Sequence, residues 1–128
     1  MNSIHLVQLF LFVGPILFLT GSRAIWASPP SVLDGQVQIH DPSTLIQCDG
    51  KFYTYGTGGA GLISNNGWTW SRGASRPGGG VAPDLIKIGD LYYLYYARNI
   101  GAQPKAAVYM LSNQTLDPNS PNFKWEER

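Results

Sequence analysis

Thr44-Leu45-Ile46-Gln47-Cys48-Asp49-Gly50-Lys51-Phe52-Tyr53-Thr54-Tyr55 reads as two strands joined at Asp49-Gly50. Asp-Gly between apolar and aromatic runs is a strong hairpin signal, because the tight turn needs φ > 0 at its centre. Leu62-Ile63-Ser64 is a short third strand. Asn65-Asn66-Gly67 then turns the chain into Trp68-Thr69-Trp70, a fourth. The pattern begins again downstream. Pro83-Asp84-Leu85-Ile86-Lys87-Ile88 is a strand, Gly89-Asp90 a turn and Leu91-Tyr92-Tyr93-Leu94-Tyr95-Tyr96 the return strand. Ala106 to Leu111 is a third and Phe123-Lys124-Trp125 a fourth. Pro83 follows Pro42 by 41 positions, and Tyr93 follows Tyr53 by 40. Four strands recurring at about 40–45 residues are the signature of a propeller blade. The competing reading is a sandwich of two unrelated hairpins.

The expected blades run over about 37–75 and about 80–127, after a leader with two prolines that starts near residue 28. Gly56 to Gly61 is expected as a glycine loop, Ser71 to Gly80 as a long polar loop, and Thr115 to Pro121 as a loop. Two blades do not close a ring, since propellers close with about 4–8. An open pair would expose a sheet edge that invites aggregation. The chain is therefore expected to be a truncated piece of a longer propeller.

Composition agrees with an all-β globular domain. The 128 residues are 44% hydrophobic and 13% charged, with 15 glycines and 9 prolines to make turns. Met1 to Ala27 reads as a secretory signal. Its apolar run, Leu6 to Thr20, is shorter than the ~20 residues a membrane span needs, and the small residues Ala24 and Ala27 follow. Cleavage after Ala27 removes Arg23 and leaves eight basic against eight acidic residues. A neutral, secreted chain gives no electrostatic footprint for nucleic acid or an anionic membrane. Cys48 is the only cysteine, so there is no internal disulfide and no cysteine cluster for zinc; it reads as a small buried hydrophobe. No residue pattern points to a cofactor, and a central metal is left open by the sequence.

Gly56-Thr57-Gly58-Gly59-Ala60-Gly61 has the spacing of a dinucleotide fingerprint, but that needs a following helix to meet the pyrophosphate. A strand and a turn follow instead. Pro77-Gly78-Gly79-Gly80 lacks the Lys of a phosphate loop. Ser64-Asn65-Asn66-Gly67-Trp68-Thr69-Trp70 resembles the Asp box of sialidase-like propellers, which is a structural turn. Trp68 and Trp70 share a strand face by period and are expected to pack between blades. Asn113-Gln114-Thr115 is a glycosylation sequon.

The acids sort by context. Asp34, Asp49 and Asp90 adjoin glycines in turns, and Asp117 precedes Pro118 in a loop. Asp41 and Asp84 stand at equivalent starts of the two repeats. Proline biases the residue before it towards an extended conformation, so Asp41 is expected to be pinned as a strand begins. Asp41 lies one position before its proline and Asp84 one after. That places both on one strand face, about 6.6 Å apart along it. The alternative for either is a carboxylate accepting backbone N–H bonds at a strand start. His40 beside Asp41 can orient the carboxylate or bond substrate.

His40-Asp41-Pro42-Ser43, Asp49-Gly50-Lys51-Phe52-Tyr53, Gly80-Val81-Ala82-Pro83-Asp84, Tyr92-Tyr93-Leu94-Tyr95-Tyr96 and Thr115-Leu116-Asp117-Pro118 together resemble family 43 glycoside hydrolases. The likeness is nearest to their extracellular arabinan endo-1,5-α-L-arabinosidases and covers about Val37 to Glu127. The resemblance implies a five-bladed propeller with an axial site. It implies inverting hydrolysis of α-L-arabinofuranosyl or xylosyl linkages in plant cell-wall polysaccharide, with a polysaccharide or oligosaccharide as substrate. Asp41 maps to the general base, and His40 and Asp84 are candidate substrate-binding residues. The family's second acid lies in the third blade and its general acid, a Glu, further on. The fragment is thus expected to lack the general acid and to be inactive by itself. The family usually has Trp where Val81 stands, which leaves that sugar wall open. Three rival classes remain: a non-catalytic carbohydrate-binding propeller module; a sialidase-like propeller, which would need arginines such as Arg72, Arg76 and Arg98 to converge; and a structural or interaction protein made of propeller blades.

Overall fold

The computed structural model describes residues 32–101 and 105–128. The expected signal over Met1 to Ala27 lies outside the described residues. The described chain forms two sheets. The first contains β1 (Asp34–Gly35), β2 (Ile46–Cys48), β3 (Lys51–Tyr55), β4 (Ala60–Ser64) and β5 (Thr69–Ser75), in the order β1-β5-β4-β3-β2. The second contains β6 (Val81–Ile88), β7 (Leu91–Asn99), β8 (Ala106–Asn113) and β9 (Glu126–Glu127), in that order. Apart from β1, each sheet is a four-stranded antiparallel meander. The all-β reading holds: among the described residues the only helical piece is a 3₁₀ turn at Thr57–Gly59.

Local chemistry accounts for the connections. Asp49 and Gly50 both adopt positive φ, 49° and 77°, as the tightest hairpin turn requires. That turn sets the register Ile46↔Tyr53 and Cys48↔Lys51. At the β4–β5 turn the Ser64 hydroxyl accepts the N–H groups of Asn66 and Gly67, and Asn66 Oδ1 accepts those of Trp68 and Thr69. The Asp-box-like segment is a turn whose backbone donors are satisfied by its own side chains.

Tyrosines and leucines at alternate positions bury one face of each sheet against the other. Tyr53 and Tyr55 of β3 and Tyr92, Leu94 and Tyr96 of β7 form the core with Cys48, Ala74, Leu85, Leu111 and Leu116. Each fully buried large apolar side chain contributes about 1.5–3 kcal/mol. Polar ties join the sheets at their rims. Lys51 Nζ pairs with Asp117 at 2.9 Å, and the Trp125 indole N–H donates to Ser75 O at 3.1 Å. Trp125 also meets Tyr55 edge-on, with ring centroids 5.6 Å apart. Cys48 is buried, as expected, and its sulfur accepts the Leu116 N–H at 3.4 Å.

Several expectations need correction. The polar stretch after Trp70 is not loop throughout, because β5 runs on to Ser75, with Ala74 in the core. The last strand is Glu126–Glu127 rather than Phe123 to Trp125; Trp125 is used for packing and ends before the ladder begins. Thr44 and Leu45 precede the first inner strand, which starts at Ile46. Trp68 is exposed and Trp70 buried, since Trp68 still belongs to the turn and period two begins only at Thr69. Asp34 and Gly35 are a strand, pairing in parallel with Thr69 and Trp70. Gly35 is required there: its φ is 82°, and any Cβ would strike the Trp70 carbonyl.

Candidate active site

Asp41 does not sit on a strand. It lies in a bend five residues before Ile46, with φ at 47°. The extended conformation expected of a residue before proline is overridden here, and Asp is among the residues that tolerate the left-handed region best. What holds the bend is a set of backbone bonds on either side. His40 O accepts the Thr57 N–H at 2.9 Å, and the Ser43 N–H donates to Tyr55 O at 2.7 Å.

The Asp41 carboxylate is half exposed and uses one oxygen for both of its partners. Oδ2 lies 3.0 Å from His40 Nδ1 and accepts the Thr57 hydroxyl at 3.1 Å. Among the described residues no hydrogen bond goes to Oδ1. His40 itself is largely exposed, at 78% of its side-chain surface. The half-exposed carboxylate therefore commits one oxygen to the protein and leaves the other without a hydrogen bond among the described residues.

Asp84 is also exposed, yet its Oδ1 accepts two backbone N–H groups, from Thr44 at 3.1 Å and from Leu85 at 2.9 Å. Hydrogen bonding from Thr44, helped by Leu85, holds this carboxyl below the usual carboxylate range. Its recorded bonds tie the second sheet's first strand to the segment leading into β2. The count that placed both acids on one face assumed a regular strand. A β-bulge between Val81 and Asp84 breaks that count.

Thr57 is the residue that the sequence reading passed over. It sits in the 3₁₀ turn between β3 and β4 and touches both blade openings. Its hydroxyl accepts the Ala82 N–H at 3.1 Å while bonding Asp41, and the Gly58 N–H donates to Gly80 O at 2.8 Å. The available signal was one hydroxyl within the glycine run Gly56 to Gly61, a run weighed for phosphate binding. No helix follows that run; β4 does, which removes the dinucleotide reading.

Two of the three candidate arginines, Arg76 and Arg98, are occupied elsewhere. Arg76 is buried with its guanidinium 4.2 Å from the Tyr96 ring centroid, and Arg98 lies 4.0 Å over Tyr109. Tyr96 and Tyr109 stack at 5.7 Å, so each arginine lies over one ring of an aromatic pair. Burial lowers the Arg76 pKa from its ordinary value. This use of Arg76 and Arg98 gives no support to a sialidase-like arginine cluster. Among the described residues no group of three His, Cys, Asp or Glu side chains stands close enough to hold a metal.

No family profile matches the chain. Individual proteins do. It is 35% identical over 103 residues to a probable arabinan endo-1,5-α-L-arabinosidase A of Aspergillus flavus, covering 69% of this chain and 32% of the relative. It is 30% identical to the extracellular exo-α-(1→5)-L-arabinofuranosidase ArbA of Cellvibrio japonicus, covering 73% of this chain and 31% of the relative. The crystal structure of an exo-1,5-α-L-arabinanase from a bovine ruminal metagenomic library superposes with a TM-score of 0.62 at 28% identity, over 70% of this chain and 35% of that one. The Cellvibrio cellulosa α-L-arabinanase complexed with arabinohexaose superposes with a TM-score of 0.60 at 26% identity, over 73% and 35%. The chain is a homologue of the family 43 arabinanases.

The two sheets are thereby blades of the family 43 five-bladed propeller fold. The chain spans about a third of the length of the arabinanase relatives it matches. Val81 opens the first strand of the second blade. It is half exposed and lines, with Gly80, Ala97, Arg98, Asn99 and Ala106, an open recess of about 260 Å³.

Proposed function

We propose that this chain carries the base-bearing blades of a secreted glycoside hydrolase that cleaves α-L-arabinofuranosyl linkages in arabinan with inversion. The observation that carries the reading is the Asp41 carboxylate, with Oδ2 committed to His40 and Thr57 and Oδ1 open to solvent. A general base must hold a lone pair towards the water it deprotonates, within about 2.6–3.2 Å. Oδ1 meets that need, and His40 is placed beside it to bond either the carboxylate or a sugar hydroxyl. Asp84 keeps its backbone partners and lends the second blade's opening strand its position next to the sugar.

The reaction also needs a carboxylic acid to protonate the leaving oxygen. In inverting enzymes the two groups stand about 6.5–9.5 Å apart, leaving room for water. The resemblance to family 43 puts that acid, a Glu, beyond the second blade. General acid catalysis contributes about 10²–10⁴-fold, so this chain by itself has little or no turnover. The names of the arabinan-degrading relatives, one of them called extracellular, support both the substrate class and the secreted route.

The test has two arms. Incubated with linear arabinan, the chain is expected to release no more reducing sugar than a buffer blank; turnover abolished by Asp41→Ala would overturn the inactivity. Titrated with arabinohexaose, it is expected to show backbone NMR shifts at His40, Asp41 and Thr57. A spectrum unchanged up to millimolar sugar would remove the sugar site.

A further inference from the structure

We infer that Thr57 is a positioning residue: its hydroxyl fixes the orientation of the Asp41 carboxylate, and the second blade's Ala82 amide fixes that hydroxyl. The inference rests on the reading of Asp41 as the base.

A threonine hydroxyl has one proton to give and two lone pairs. The Ala82 N–H, 3.1 Å away, can only donate, so it takes up a lone pair of Thr57 Oγ1. An ionised carboxylate can only accept. The Thr57 proton is therefore directed at Asp41 Oδ2, 3.1 Å away. The hydroxyl has no freedom to face the other way while Ala82 keeps its place.

The anchor is itself held firmly. The Thr57 N–H donates to His40 O, the Gly58 N–H to Gly80 O, and the Arg76 N–H to Gly59 O at 3.2 Å. A β-branched side chain on that backbone has few χ1 choices. The carboxylate it holds is the reverse: half exposed, with a broad, roughly two-fold terminal torsion. Without the Thr57 bond the carboxylate would turn about χ1 as well as χ2, since the remaining partner, His40, is a mostly exposed side chain. With it, Oδ2 stays bound and Oδ1 stays presented. Blade 2 thus sets the geometry of a group that belongs to blade 1, through two hydrogen bonds and no contact with substrate.

The alternative is that Thr57 only fastens the two blades together. Thr57→Val keeps shape and branching but gives no proton; Thr57→Ser keeps the hydroxyl. The readout, on the full chain, is the Asp41 side-chain carboxyl ¹³C resonance, assigned by its loss in Asp41→Asn, together with the three-bond couplings that report its χ1. Thr57→Val is expected to move that resonance and average the couplings towards free rotation, while amide signals of β3, β4 and β7 stay in place. Thr57→Ser is expected to hold wild-type values. A valine variant with Asp41 unmoved, or a serine variant displaced as far as the valine, overturns the inference. Should the valine variant fail to fold, Thr57→Ala reads the same contrast. The arabinohexaose titration is separate. If the sugar leaves Asp41 untouched while Thr57→Val moves it, the hold stands and the base assignment falls.

Discussion

Asp41 and Ala82 hold nearly the same left-handed backbone angle, φ 47° and 48°, and each stands one residue before a proline. The repeat seen in the spacing of Pro42 and Pro83 is therefore also a repeat of backbone conformation. Asp41 lies in the bend that leads to the first blade's opening strand, and Ala82 lies at the start of β6, inside the bulge between Val81 and Asp84. A non-glycine residue in this region costs about 1–3 kcal/mol and persists only where its surroundings insist on it. Here the surroundings are shared, since Thr57 bonds the side chain of one residue and the amide of the other.

Ala82→Gly should relieve strain without losing the amide that Thr57 accepts. Glycine reaches φ near 48° without steric cost, though it surrenders some unfolded-state entropy. The expected outcome is a gain of about 1 kcal/mol, or about 4–8 °C in melting temperature for a domain of this size. Thermal unfolding followed by circular dichroism checks it; a lower melting point would mean that the Ala82 methyl packs usefully.

Tyr55→Phe should also stabilise the chain. The Tyr55 ring is fully buried, and its hydroxyl has no partner among the described residues. An unpaired buried hydroxyl costs about 1–3 kcal/mol, and removing it recovers part of that. Urea unfolding should show a higher midpoint with an unchanged slope.

The same burial predicts an alkaline limit. Burial, reinforced by neighbouring groups such as Asp117 and Cys48, raises the pKa values of Tyr53, Tyr55 and Tyr92 above the ordinary phenol value. A raised pKa means the folded state keeps its proton where the unfolded chain would release it. The stability these phenols contribute is full below the unfolded value of about 10 and is lost as pH rises beyond it. Phenolate absorbance should therefore rise in two stages, with the last tyrosines ionising only as the chain unfolds. A single early titration of all seven tyrosines would refute this.

Asp84→Ala should weaken the join between the sheets and flatten the acid limb of the stability profile. Bonds from Thr44 and Leu85 lower the folded pKa, so the stabilisation is present above the unfolded carboxylate value and disappears as pH falls through the folded one. For this exposed carboxylate the loss near neutrality should be about 1 kcal/mol. Unfolding measured at neutral and acid pH in both proteins should show the difference shrinking towards acid; a constant difference would assign the effect to packing instead.

The strand pattern was legible because Asp49-Gly50 and Gly89-Asp90 punctuate runs of tyrosine and leucine whose period matches the pleat. Strand ends were less legible. Ser71 to Ser75 is polar and reads as loop, yet it is an outer strand, with Ala74 facing the core and its neighbours facing solvent. Asp41 could be singled out from its place before Pro42, but its conformation could not. The rule for residues preceding proline is local, and the bonds that hold the bend against it come from further along the chain, the Thr57 N–H to His40 O and the Ser43 N–H to Tyr55 O. Thr57 was hidden for the same reason: its partners are neighbours in space only.

The short turn at Thr57–Gly59 has a mechanical consequence. Through Thr57 and Gly59 it is pinned to His40 and Arg76 on its own blade, and through the Gly58 N–H and the Thr57 hydroxyl to Gly80 and Ala82 at the opening of the second, so the two sheets are joined there at two points. Rocking one sheet against the other would have to shear those bonds and twist the Asp41 side chain with them. The pair should move as a single plate, and any breathing that admits a polymer strand must occur at a different seam.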